Sequence, residues 1–200
     1  MNIIPKTIEK LLNGTSVTIA ALGDSLTQGW MVRRGYLDFL EELIREKYPA
    51  ARFSILNRGI PGDTAHGGLV RVRYDVIEQN PDLVFIQFAL NDAFTGYTPK
   101  EFGNSISEII EEIASSSDAE IVLITSVCLG NSREDSYVNQ YYGQLEKTAT
   151  EKRLPLVKVH KYWKRKIAEG VEFRKLVQAD MVHPTVLGYQ LMAEAIMQIF

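Results

Sequence analysis

Short apolar runs alternate along this chain with stretches whose apolar residues recur at helical spacing. Residues 17–22 form the first run, ending at Gly23, and residues 52–56, 82–89, 120–127 and 154–159 form four more. Their length and their wealth of Val, Ile, Leu and Phe predict β-strands. Between them, Tyr36, Phe39, Leu40, Leu43 and Ile44 mark one helical face, and Phe102, Ile106, Ile109, Ile110 and Ile113 mark another. The second of these helices carries its own start signal. Thr98-Pro99-Lys100-Glu101 supplies an N-cap, a proline at the first helical position and a capping-box glutamate. Glu108, Glu111 and Glu112 fall on its solvated side. Residues 141–152 read as a further helix. A last helix, from near Pro184, buries Gly188, Leu191, Met192, Ala195, Ile196 and Ile199.

Several strands are apolar throughout instead of alternating, which suits a parallel sheet covered on both faces. Strand–helix alternation over residues 1–200 predicts a single α/β domain, a three-layer α/β/α sandwich with about five parallel strands. Residues 1–15, closed by Asn13-Gly14, make a short leading helix and not a domain of their own. No repeat, low-complexity segment or linker divides the chain.

Composition narrows the field without choosing within it. The 200 residues suit one core, and 46% hydrophobic with 24% charged residues is ordinary for a soluble globular protein. A net charge of −3 argues against a general nucleic-acid binder. Cys128 is the only cysteine and sits in an apolar run, so it reads as a buried thiol, and no disulfide can form within the chain. The first residues lack a basic segment followed by a long apolar one, and no stretch approaches the ~18 apolar residues of a membrane span. The expectation is a cytoplasmic protein with no membrane insertion. Oligomeric state leaves no mark in the sequence.

The chemistry is read from the segments just past each strand, because open parallel sheets bind ligands beyond the carboxyl ends of their strands. After the first comes Gly23-Asp24-Ser25-Leu26-Thr27-Gln28-Gly29; after the second, Asn57-Arg58-Gly59-Ile60-Pro61-Gly62-Asp63-Thr64; after the third, Asn91-Asp92. Asp180-Met181-Val182-His183-Pro184 lies between the fifth strand and the last helix. A serine hydroxyl is a poor nucleophile until a base takes its proton. The histidines are His66, His160 and His183. His183 precedes a proline at a helix entrance, and Asp180, three residues earlier, can fold back onto its imidazole to fix the tautomer. Ser25, Asp180 and His183 are therefore the candidate catalytic residues. The Ser25 and Gly62 backbone N–H groups and the Asn91 side chain are candidate oxyanion donors. Asp24 reads as a supporting, hydrogen-bonding residue, and Asp92 as structural.

These residues resemble the blocks of GDSL-type, or SGNH, hydrolases. Gly23-Asp24-Ser25-Leu26 is similar to the first block, Gly62 to the second, Asn91-Asp92 to the third and Asp180-x-x-His183-Pro to the last, in that family's order. The resemblance implies a flavodoxin-like sandwich, a serine mechanism without metal or other cofactor, and a small-molecule ester or thioester substrate. One position departs from it: Ala89 stands where the third block has glycine, an extra methyl in the turn that presents Asn91.

Other readings meet specific obstacles or stay open. The loop at 23–29 lacks the Gly-Lys-Ser/Thr end of a P-loop and the three-glycine dinucleotide fingerprint, and no Gly-x-Ser-x-Gly elbow occurs. The spread of the histidines, with no Cys pair or His-Glu-x-x-His, argues against metal. Ser25 also fits a helix cap, and Asn91 a turn asparagine. His66 reads as a surface residue. The basic run at 158–166 reads as a solvated face with Tyr162 and Trp163 partly in the core. Trp30, Phe94, Tyr97 and Tyr137 flank the candidate loops and suit either substrate contact or packing. The favoured function is cleavage of small carboxylic esters with short acyl chains, O-acetylated carbohydrate among them. Lysophospholipase, thioesterase and acyltransferase activities use the same triad, and a non-catalytic glycan- or acyl-binding module is the reading from another class.

Overall fold

The computed structural model describes residues 3–200. The strands are β1 (Ser16–Gly23), β2 (Arg52–Gly59), β3 (Leu83–Gln87), β4 (Glu120–Ile124) and β5 (Leu156–Val157). All pair in parallel, in the order β2-β1-β3-β4-β5. This is the flavodoxin-like order, in which the strand sequence reverses between β1 and β3 and opens a crevice at their carboxyl ends. The predicted α/β/α sandwich with five parallel strands is therefore the architecture found.

The helices are α1 (Pro5–Leu12), α2 (Ser25–Gln28), α3 (Tyr36–Lys47), α4 (Ala65–Asp75), α5 (Leu90–Thr95), α6 (Pro99–Ser116), α7 (Ser132–Lys152), α8 (Val159–Ala168), α9 (Phe173–Leu176) and α10 (Val186–Met197). One layer packs α10 against α3 and α8; another packs α6 against α4 and α7. The central strand β3 is buried at every residue, while the edge strand β2 is half-exposed. The all-apolar pattern thus belongs to the strands covered on both faces, as parallel packing requires. The apolar stripe of α6 is buried throughout, and Thr98 and Glu101 close the capping box that its sequence encodes. Among the described residues no helix is long and apolar enough to cross a membrane.

Boundaries differ from the sequence reading in instructive ways. The strand expected at 52–56 runs on to Gly59, pairing with β1 as far as Gly23. Those expected at 82–89 and 120–127 stop at Gln87 and Ile124. The chain past them leaves the strands but stays buried, so burial and not strand geometry explains its apolar character. The fifth strand, expected at 154–159, shrinks to Leu156–Val157 because Val159 opens α8. The basic run at 158–166 is helix from Val159 on, with Trp163 buried and the lysines outside. The helix expected at 141–152 starts at Ser132, where Asn131 accepts from the Arg133 and Glu134 N–H groups. Its first turns carry too few apolar residues to show a stripe. The last helix begins at Val186, capped by Thr185, just past Pro184.

Candidate active site

The segment after β1 enters the crevice first. Asp24, in extended conformation, caps α2 by accepting from the Leu26 N–H at 2.8 Å. The capping role that Ser25 could have filled belongs to its neighbour, and the Ser25 hydroxyl is left for other contacts. Ser25 occupies the first helical position, where a backbone N–H has no intrahelical acceptor. This turn fits only over glycine: a Cβ on Gly23 would lie 2.2 Å from Thr27 Oγ1 and 2.7 Å from the Gln87 carbonyl. Beneath it, Gln87 donates to Ser126 Oγ at 2.9 Å and to Asp24 Oδ2 at 3.4 Å, and accepts from Thr27 Oγ1 at 2.8 Å. Burial pushes the Asp24 carboxyl up to about 7, against the lowering effect of the Leu26 N–H and Gln87.

Ser25 Oγ lies 2.9 Å from His183 Nε2, and His183 Nδ1 lies 2.7 Å from Asp180 Oδ2. A carboxylate can only accept, so the imidazole proton sits on Nδ1 and Nε2 accepts from the Ser25 hydroxyl. The other Asp180 oxygen accepts from the Val182 and His183 backbone N–H groups, each at 2.9 Å. Desolvation alone would raise the Asp180 pKa; the Val182 N–H, the His183 ring and the His183 N–H together hold it below the ordinary carboxylate value. Met181, between them, takes a left-handed conformation with φ 65°. Gln178 anchors this loop. Its backbone N–H donates to the His183 carbonyl at 2.7 Å, and its side-chain Nε2 donates to the Pro184 and Trp30 carbonyls, each at 2.9 Å.

The loop after β2 is a tight turn. Asp63 N–H donates to the Ile60 carbonyl at 3.1 Å, Pro61 is the second residue and Gly62, with φ 79°, the third. That is a type II turn, whose third residue requires positive φ. Nothing lies within 4 Å of a Cβ placed on Gly62, so its glycine serves conformation and not space. The turn's own hydrogen bond uses Asp63, which leaves the Gly62 N–H outside it.

Asn91 donates from Nδ2 to the Asp63 carbonyl at 2.8 Å. A carbonyl partner settles which end of the amide faces it and leaves the second Nδ2 hydrogen for another acceptor. Its neighbour Asp92 accepts from the Ala65 N–H at 2.9 Å, and its carboxyl is pushed up to about 6 by burial. The third block thus holds the second through Asn91 and the start of α4 through Asp92. Ala89, just before, has φ 146° and ψ −40°, a conformation that L-residues rarely adopt.

The structure therefore brings Ser25, Asp180 and His183 into one hydrogen-bonded line, sets Asp24 at the cap of the helix that Ser25 opens, and ties the Gly62 turn to Asn91. His66 is exposed, with its ring centroid 6.4 Å from that of Tyr97. His160 is buried, bonded through Nδ1 to Thr125 Oγ1 at 2.8 Å and stacked on Tyr142. The Trp30 ring lies beside His183, tilted by 39° with ring centroids 6.1 Å apart. Trp30 and Phe94 are both exposed, while Tyr137 uses its hydroxyl to hold the Ala93 carbonyl at 3.0 Å. Cys128 is buried, as expected, and burial pushes its thiol up to about 11. Sequence reasoning gave no role to Asp63, Gln87 and Gln178. Gln87 left one signal, a polar residue at the end of an apolar strand; the others left none that local pattern could reveal.

The GDSL-like Lipase/Acylhydrolase family matches residues 21–191, and the chain belongs to it. It is a hydrolase acting on ester bonds. It is 26% identical to the esterase TesA of Pseudomonas aeruginosa, across 88% of this chain and 79% of that protein. It is 24% identical to an acetylxylan esterase of Geobacillus stearothermophilus, across 92% of this chain and 94% of that one. A crystal structure of that acetylxylan esterase superposes with a TM-score of 0.81 at 23% identity, covering 92% of this chain and 93% of the other. Other solved forms of it are described as catalytic mutants, one altered at a serine, one at an aspartate and one at a histidine three residues further on.

Proposed function

We propose that this protein cleaves small carboxylic esters by two-step acyl transfer, with Ser25 as nucleophile, His183 as base and Asp180 as the group that orients it. The observation that carries this reading is the unbroken pair of contacts, 2.9 Å from Ser25 Oγ to His183 Nε2 and 2.7 Å from His183 Nδ1 to Asp180. His183 takes the Ser25 proton as the hydroxyl attacks the ester carbonyl, then returns it to the leaving alcohol. The Ser25 and Gly62 N–H groups and the free Asn91 Nδ2 hydrogen stabilise the tetrahedral oxyanion. Water enters by the reverse route and releases the acid. Asp24 supports the nucleophile through the α2 cap and takes no proton from the substrate.

We infer short acyl chains, acetyl above all, with O-acetylated carbohydrate as the leading natural class. An open rim supports this: Asp180 and Trp30, which border His183, are both exposed, and Phe94 on α5 is more than half exposed. The relative named as an acetylxylan esterase, matched along nearly its whole length, points the same way. The test is hydrolysis of p-nitrophenyl esters of increasing chain length by wild type and Ser25→Ala. Activity that falls steeply beyond butyrate and disappears in the variant is expected. Equal rates in Ser25→Ala would remove the serine mechanism, and a preference for long chains would remove the short-acyl assignment in favour of a lysophospholipase or thioesterase.

A further inference from the structure

Two of the proposed oxyanion donors stand on segments that neither the sheet nor a long helix fixes directly, and Asp63 connects them. Its backbone carbonyl accepts from Asn91 Nδ2 at 2.8 Å, and its N–H closes the turn that presents Gly62. Its carboxylate faces Arg71 of α4, which reaches Oδ2 through Nε at 2.8 Å and through a terminal nitrogen at 2.7 Å. Both side chains are largely buried, at 15% and 13% exposure, so the pair is little screened by solvent.

Arg71 does more than neutralise Asp63. The same guanidinium donates to the Arg58 carbonyl at 2.8 Å, to the Gly23 carbonyl at 3.0 Å and to Asp75 at 2.7 Å. Gly23 and Arg58 lie at the ends of β1 and β2, and Gly23 is two residues before Ser25. One planar group therefore spans the strand that delivers the nucleophile and the turn that delivers an oxyanion donor. Lysine, a point charge with three donors on a flexible stem, cannot reach these four acceptors from one plane.

We propose that Arg71, acting through Asp63, is a positioning residue that sets the Gly62 N–H and the Asn91 amide against Ser25. The inference rests on the oxyanion assignment above. Arg71 touches no substrate; its effect passes through donors whose alignment matters most when charge develops on the carbonyl oxygen. Its loss therefore lowers kcat and leaves KM nearly unchanged.

The experiment is a double-mutant cycle between Arg71→Gln and Asn91→Ala, read as kcat and KM on p-nitrophenyl acetate, with folding followed by circular dichroism. Arg71→Gln is expected to lower kcat by about 10–100-fold with KM within about threefold. In the Asn91→Ala background the further loss is expected to be several-fold smaller than in wild type, because one of the two donors that Arg71 aligns is already gone and only the Gly62 N–H is left to displace. Arg71→Lys should fall close to Arg71→Gln. A folded Arg71→Gln with wild-type kcat, or full multiplication of the two losses, would overturn the inference. A near-normal kcat in Asn91→Ala alone would instead overturn the oxyanion assignment beneath it. Should Arg71→Gln fail to fold, Asp63→Asn carries the same cycle, because Arg71 then keeps its contacts to Gly23, Arg58 and Asp75. In that variant about tenfold loss of kcat is the expected result and an unchanged kcat the contrary one.

Discussion

The Gln178 side chain joins the two halves of the candidate active site by donating to the Trp30 carbonyl at 2.9 Å while also holding the Pro184 carbonyl at 2.9 Å. Trp30 lies just past the Ser25 segment and Pro184 just past His183, so one amide spans the gap across which the proposed proton transfer runs. Neutral hydrogen bonds of this kind are each worth about 1 kcal/mol, too little to decide folding. A small displacement of a reacting group, by contrast, is amplified in rate. Gln178→Ala is therefore expected to lower kcat by about tenfold while shifting the unfolding midpoint only slightly. Steady-state kinetics beside a urea titration check it; a large stability loss with unchanged kcat would make Gln178 a purely structural residue.

Asp180→Asn tests the tautomer argument. The Asp180 oxygen that accepts from two backbone N–H groups will keep an asparagine carbonyl in place, which turns the NH₂ toward His183 Nδ1. The ring must then carry its proton on Nε2, where it cannot accept from Ser25. A fall in kcat of about 10³–10⁴-fold with little change in fold is expected. A rate within tenfold of wild type would show that the carboxylate does not govern the imidazole.

Ala89 holds a conformation with φ 146° that glycine adopts without cost and that costs other residues roughly 1–3 kcal/mol. It is fully buried at the turn that precedes Asn91. Ala89→Gly is expected to stabilise the protein by about 1 kcal/mol after the greater unfolded-state freedom of glycine is subtracted, and to raise Tm by about 2–4 °C. Calorimetry decides it. A lower Tm would mean that the buried methyl contributes more packing than the backbone loses in strain.

His160 and Asp24 give stability opposite responses to acid. Burial lowers the His160 pKa to about 4 from an unfolded value of 6.5, so the unfolded chain binds the extra proton between those values. The stability that neutral His160 provides is present above pH 6.5 and is lost as pH falls from there to about 4. Burial raises Asp24 to about 7, so the folded chain binds the extra proton above pH 3.8, and stability declines as pH rises from 3.8 to 7. The two partly cancel in wild type, and a variant separates them. The stability advantage of wild type over His160→Gln is expected to shrink by about 3 kcal/mol between pH 7 and pH 4. Urea midpoints at both pH values measure it, and a constant difference would remove His160 as the titrating group.

The features that the sequence determined were local or periodic. Asp180 and His183 are three residues apart, so their contact arises from a short loop whatever the rest of the chain does. The Pro61-Gly62 pair specifies its turn by backbone sterics alone, and Thr98 with Glu101 specifies the start of α6. The apolar runs foretold a sheet buried on both faces because burial depends on composition. Tertiary structure decided whatever joins distant residues. Ser25 and His183 are 158 positions apart and meet only because β1 and the start of α10 open into the same crevice. Arg71 finds the carbonyls of Gly23 and Arg58 only once β1 and β2 have paired. The length of β5 was settled by α8, whose buried Val159, His160 and Trp163 draw the chain out of the sheet. Short-range patterns carry the energies of single elements, whereas these contacts depend on register and packing between elements, which no window along the chain contains.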